Sequence, residues 1–242
     1  MEANASPATQ VATPATTIRQ QLDRVEAAVA AGQTDLRALG FWLVVARIKR
    51  DPVLVHDHAD QVGRIDTAAF RAAVRLRTRV WVGNAAMLAA VAVGVVAIVV
   101  AATTTGAVAG LAFLVAGGAW ALGVHVPTHA FFGWLAGIRF TDAFVGGPPP
   151  PRPGLKTDYA TYLRAEASLR AWFHASGAIA TKIAPLLAIA LWPATNAPWW
   201  AVVLMAVYAV FQIVTDILFS TKSSDWKRFA RERAIARAAP AP

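Results

Sequence analysis

The chain of 242 residues contains no cysteine, and only 15% of its residues are charged. Without cysteine there is no disulfide framework, no thiolate metal site and no cysteine nucleophile. Soluble domains carry about 25% charged residues, so this chain has too little charge to cover a surface that faces water. Hydrophobic residues make up 57% of the sequence, which excludes an intrinsically disordered protein.

The basic residues exceed the acidic ones by 23 to 14, and the formal net charge is +9. They flank long apolar segments, a distribution typical of membrane proteins rather than of nucleic-acid-binding proteins. We therefore expect the lipid bilayer, and no nucleic acid, as a partner. Phosphate-binding glycine loops and the sequence motifs of serine hydrolases are also missing.

Two long segments of the chain are almost free of charge. Residues 80–138 contain no charged side chain, and residues 171–220 contain only Lys182 and Asp216. A membrane helix needs about 20 apolar residues to cross about 30 Å of hydrocarbon, so each segment is long enough for two spans. Lys182 is expected either to pair with Asp216 or to extend to the membrane surface. The predicted spans are residues 80–102, 107–130, 171–192 and 199–220.

The distribution of Lys and Arg predicts the orientation of these spans. The turns at 103–106 and 193–198 contain no basic residue, whereas the N-terminal region, the loop 139–170 and the C-terminal tail contain nearly all of them. Basic residues favour the cytoplasmic side of a membrane. The sequence thus predicts an all-α, multi-pass protein of the cell membrane with four transmembrane helices and with both termini in the cytoplasm.

The remaining segments differ in character. Residues 1–16 are expected to form a disordered polar leader, and residues 17–79 have the apolar periodicity of a small helical cytoplasmic region. The transmembrane domain is predicted to cover residues 80–228, and a basic tail follows at 229–242. The loop 139–170 contains a proline run, which is typical of a stiff spacer or of a loop that guides a substrate.

Five side chains that can bind a metal ion are predicted to converge near the cytoplasmic membrane surface. His125 and His129 are four residues apart, so they share one helix face and could bind one metal ion together. His174 and Asp216 lie near the same ends of their spans, and Asp225 follows two to three turns after Asp216. Polar groups inside a bilayer are costly and are usually functional. This convergence predicts a metal site.

Three segments resemble the motifs of one enzyme family, in the same order along the chain. The segment His125-Val-Pro-Thr-His129-Ala-Phe-Phe-Gly-Trp-Leu-Ala-Gly-Ile resembles the HExxH signature of site-2-protease-type intramembrane zinc metalloproteases. The small residues of 175–181 look like the A-G-P-x-A-N segment of that family. Residues 216–226 are similar to its N-x-x-P…D-G segment. The resemblance covers roughly residues 107–228.

The resemblance implies a zinc site and leaves catalysis in question. His125 and His129 would bind Zn²⁺, with Asp225 as the third ligand by motif and Asp216 as its rival. The general base of the family is the Glu that follows the first His, and this position is occupied by Val126. The resemblance therefore implies the fold and the metal more strongly than proteolysis. His174 is the predicted substitute base or a fourth ligand.

Three functions follow as hypotheses. The first is a zinc-binding membrane protein, an atypical or inactive peptidase with a membrane-protein client or a peptide as its partner. The second is a non-enzymatic membrane scaffold whose N-terminal helices bind another protein. The third is a haem-b cytochrome in which His174 pairs with His125 or His129 as axial ligands. The oligomeric state is left open.

Overall fold

The computed structural model describes residues 17–146, 152–218 and 224–238. The predicted leader and most of the proline run lie outside the described residues. The described chain is mostly helical, and a 3-10 turn at Trp192–Ala194 extends α7. The elements are α1 (Ile18–Ala30), α2 (Phe41–Ile48), α3 (Pro52–Ala73), β1 (Arg77–Thr78), α4 (Val80–Thr103), α5 (Gly106–Leu135), β2 (Phe140–Gly146), β3 (Arg152–Thr157), α6 (Tyr159–Arg164), α7 (Ala167–Leu191), α8 (Trp199–Leu218) and α9 (Asp225–Ala238).

Four of the helices are long and apolar enough to cross a membrane, as predicted for a multi-pass membrane protein. They are α4, α5, α7 with its 3-10 extension, and α8. Helices α4 and α5 pack closely because small residues face large ones. A Cβ atom at Gly94 would lie only 2.4 Å from the ring of Trp120, and one at Gly123 would lie 2.7 Å from the backbone oxygen of Met87. Trp120 also donates a hydrogen bond to the Val91 carbonyl (3.1 Å).

Helices α1, α2 and α3 form a small bundle of their own. Thr17 caps α1 in a capping box with Gln20, and Asp51 caps α3 directly before Pro52, two signals that fix where a helix begins. The core of the bundle consists of large aliphatic and aromatic side chains, to which α6 adds Leu163. The predicted helical region at 17–79 therefore has a hydrophobic core outside the membrane helices.

A three-stranded antiparallel sheet with the order β1-β2-β3 lies between the bundle and the membrane helices. The proline run predicted only a stiff spacer or a loop that guides a substrate here, and it obscures the two strands that flank it. Asp66 of α3 forms a buried ion pair with Lys156 of β3, and Phe70 contacts Phe144 edge-on with ring centroids 5.1 Å apart. These contacts attach the sheet to α3.

The C-terminal tail forms a helix that packs on α7. The predicted boundary between residues 228 and 229 falls inside α9, which begins at Asp225. Phe229 contacts Trp172 of α7 with ring centroids 5.7 Å apart, and Glu232 is buried. Packing on α7 places the first residue of α9 near the histidines of α5.

Candidate metal centre

Three of the four predicted metal-binding residues meet in the structure. His125 and His129 lie one turn apart on α5, and Asp225 is the first residue of α9. The Asp225 Oδ2 atom lies 3.6 Å from His125 Nε2 and 3.4 Å from His129 Nε2. One ligand atom from each residue lies within 4.8 Å of the others, so the three side chains form a single group, here called the His–Asp group.

The hydrogen bond of His129 fixes which of its nitrogens faces Asp225. Its Nδ1 lies 2.7 Å from the backbone oxygen of Phe173 on α7. A carbonyl oxygen can only accept, so Nδ1–H must be the donor. A neutral imidazole carries one N–H. Its Nε2 therefore presents a lone pair to Asp225.

The same argument applies to His125 through a hydroxyl group. Its Nδ1 lies 3.0 Å from Thr181 Oγ1, and the Thr181 hydroxyl donates its only proton to the Gly177 carbonyl (2.8 Å). The Thr181 oxygen must therefore accept from His125 Nδ1–H. As in known metal sites, a second partner thus orients each ring and leaves the other nitrogen free to bind.

The His–Asp group consequently brings two lone pairs and a carboxylate oxygen together, and such atoms repel unless a cation lies among them. One proton can bind the lone pair of only one of the two imidazoles, whereas one metal ion can bind all three atoms. Zn²⁺ binds nitrogen and oxygen at about 2.0–2.2 Å in a tetrahedron, which places ligand atoms about 3.3 Å apart. The two separations from Asp225, 3.4 and 3.6 Å, are close to this value, and all three atoms lie within 4.8 Å of one another, so the group could hold a metal ion.

The electrostatics of Asp225 suit a metal ligand. Burial alone would raise the pKa of this carboxyl, but the neighbouring His129, His125 and Arg228 hold the pKa below its usual range. The carboxylate is therefore ionised at neutral pH. Its side chain and that of His129 are mostly buried, while His125 is more exposed.

The small residues of α7 make room for the histidines. A Cβ atom at Gly177 would lie 2.3 Å from His129 Nε2, so a larger residue here would displace the ring. Ser176 donates to the same Phe173 carbonyl that accepts from His129 (2.8 Å). The stretch 175–181, which the sequence analysis singled out for its small residues, thus packs against the His–Asp group.

The other two candidate residues have different partners. Asp216 lies 2.6 Å from the ammonium group of Lys182, which confirms the predicted pairing and leaves Asp225 as the carboxylate beside the histidines. His174 Nε2 lies 2.8 Å from the hydroxyl of Tyr162. Its role as a substitute base stays a prediction, and this hydrogen bond does not support it.

A buried polar network that the sequence analysis missed lies behind the His–Asp group. Glu232 of α9 accepts from Arg170 Nε (2.8 Å) and from the Tyr162 hydroxyl (2.8 Å), and it forms an ion pair with Lys49 at the end of α2. Burial raises the pKa of Glu232, but the cations of Lys49 and Arg170 outweigh burial and hold it below its usual range. Burial, together with Glu232, raises the pKa of Tyr162. No spacing in the sequence connects these residues, which come from four helices.

Comparison with known proteins finds no matching family model, no matching curated protein and no matching solved structure. The resemblance to site-2-protease-type enzymes therefore rests on its motifs alone.

Proposed function

We propose that this chain is a zinc-binding membrane protein of the intramembrane-metalloprotease type that binds a membrane-protein client or a peptide and has little or no peptidase activity. The supporting observation is the His–Asp group. Both histidines donate through Nδ1 and present Nε2 to one carboxylate oxygen, an arrangement that a bound cation stabilises.

The residues of the chain would have different roles in such a site. His125 and His129 bind through Nε2, and Asp225 balances the charge of the ion. When bound, Zn²⁺ supplies Lewis-acid polarisation of a carbonyl group. Proteolysis also needs a base that removes a proton and passes it on. Buried Val126 occupies the position of that base in the family, and a valine side chain cannot move a proton.

We further propose that the His–Asp group faces the cytoplasm in the cell membrane. His125 follows the start of α5 by 19 residues, about 28 Å along a helix, which is close to the hydrocarbon thickness. The bundle of α1–α3 and the basic helix α9 lie at this same end, and basic residues favour the cytoplasmic side.

The two alternative functions remain predictions with less support. A haem site would need His174 as an axial ligand, and its Nε2 is engaged by Tyr162. A scaffold function would leave the shared orientation of His125, His129 and Asp225 without a role.

Metal content of the purified full-length chain in detergent tests the proposal. We expect about one zinc ion per chain, lost in the variant with both His125→Ala and His129→Ala and weakened in Asp225→Asn. Asp216→Asn and His56→Ala are the matched controls, since Asp216 pairs with Lys182 and His56 is exposed; both should keep the metal. A metal-free wild type that is as stable as a zinc-loaded one would contradict the proposal, and a haem absorption band would favour the cytochrome.

A further inference from the structure

Glu232 connects three parts of the molecule at one buried point. Its carboxylate contacts Arg170 of α7 and Tyr162 of α6, and its third partner, Lys49, belongs to the N-terminal bundle. The side chains of Glu232 and Arg170 are each only 4% exposed. A carboxylate at this depth is stable only while its cations stay in place.

The position of Glu232 determines that of Asp225 because both belong to α9. They are seven residues apart, which is nearly two full turns and about 10.5 Å along the axis. Both therefore lie on the same side of the helix, where Glu232 contacts α7 and Asp225 contacts the histidines of α5. Holding Glu232 in place consequently fixes the rotation of α9 about its axis and its position along that axis. Both determine where Asp225 lies relative to the histidines.

The network also reaches His129 from the other side. Tyr162 accepts a hydrogen bond from His174 Nε2–H, because its own proton is donated to Glu232. His174 is adjacent to Phe173, whose carbonyl accepts from His129 Nδ1–H. Glu232 is thus linked to the Asp ligand through α9 and to a His ligand through α7.

We infer that Glu232 is a positioning residue for the proposed metal centre, and that its pair with Lys49 makes tight metal binding depend on docking of the N-terminal bundle. This inference rests on the proposed function. Loss of Glu232 leaves the cations of Lys49 and Arg170 buried beside each other, and loss of Lys49 leaves the buried carboxylate with one cation instead of two. Either change weakens the attachment of α9 to α7. Changes to groups that orient metal ligands typically cost roughly 10- to 100-fold in metal affinity.

Competition with a chelator, using Zn²⁺ and Co²⁺ on the full chain in detergent, tests this inference. Glu232→Gln and Lys49→Met should each lower the affinity roughly 10- to 100-fold and change the Co²⁺ absorption spectrum. Lys49→Arg keeps the charge and should restore both. Asp60→Asn is the matched control, because it breaks an exposed ion pair with Arg164 (2.7 Å) that does not involve α9, and it should leave the affinity unchanged.

The outcomes separate this inference from the proposed function. If the wild type binds neither ion, the proposed function fails. If the wild type binds and Glu232→Gln and Lys49→Met bind equally well, the inference alone fails. Lys49→Met keeps the Arg170 pair and therefore tests the inference even where Glu232→Gln does not fold. Amide hydrogen exchange in α9, measured without metal, should be faster in both variants, and unchanged exchange also contradicts the inference.

Discussion

The N-terminal bundle and the membrane helices bury different kinds of residue. In the bundle, the fully buried positions are mainly large ones, such as Leu22, Phe41 and Ile48. Among the membrane helices, most buried positions are alanine or glycine, with large exceptions such as Phe113 and Met205, and most valine and leucine side chains point outward. The same chain thus uses mainly large residues as core in one region and mainly small ones in the other.

This difference shows which force holds each region together. In water, burial of large apolar side chains is the main source of stability. In lipid an outward-facing valine side chain is already in apolar surroundings, so burying it would gain little free energy. Membrane helices therefore associate through close contact of small residues and through hydrogen bonds. The contact between Gly177 and His129 belongs to the second kind, and it explains why the His–Asp group can form where the membrane helices approach closely.

The largest expected effect is a loss of membrane insertion. It is tested by placing aspartate at one outward-facing position in each region. Val93→Asp on α4 should disfavour membrane insertion by about 3 kcal/mol, because Val93 faces the surroundings near the middle of the helix. Leu43→Asp on α2 is the control: Leu43 is 74% exposed, so the charge stays in water. Glycosylation mapping of insertion measures both. Equal insertion of the two variants would show that α4 does not face lipid.

Hydropathy made the membrane part of the fold predictable. A charge-free run of 59 residues from Val80 leaves few alternatives to membrane helices. The pair of His125 and His129 was predictable for a similar reason, since a spacing of four places both on one face of any helix. Both predictions depend only on neighbours in sequence.

What the sequence did not predict depends on contacts between distant segments. The motif favoured Asp225 over Asp216 only narrowly, and the docking of α9 on α7 is what separates them. That docking involves the pairing of Glu232 with Arg170, 62 residues apart, and the contact of Phe229 with Trp172. The hairpin of β2 and β3 was not predicted, because the pairing of such short strands produces no recognisable sequence pattern and a proline run separates them.

A smaller effect is expected inside the membrane region, where contact between backbones is closest. Gly123→Ala should destabilise the packing of α4 on α5 by about 1–3 kcal/mol, because the new Cβ would lie 2.7 Å from the Met87 oxygen and 2.9 Å from the Val91 nitrogen. Gly118→Ala on the same helix is the control, since nothing lies within 4 Å of its Cβ position. Thermal unfolding in detergent should show the loss for Gly123→Ala alone. If both variants unfold alike, close packing does not hold these helices together.

The smallest effect is expected at the junction of the two regions, where Lys49, Arg170 and Tyr162 contact Glu232. The pKa of Glu232 in the folded chain lies below its ordinary value of 4.5. Its contribution to stability is therefore complete above about pH 4.5 and is lost as the pH falls through the lower, folded pKa. We expect α9 to detach from α7 in this acidic range, which amide hydrogen exchange in α9 would detect.

The comparison with Glu232→Gln isolates this carboxylate from the others, which also titrate in acid. The variant has no proton to gain at residue 232, so exchange in its α9 should be faster at neutral pH and should change less as the pH falls. An identical pH dependence in the two proteins would mean that the junction does not depend on the ion pairs of Glu232. The bundle would then be attached to the membrane helices by apolar contacts and by the sheet, and α9 would be held mainly by the contact of Phe229 with Trp172.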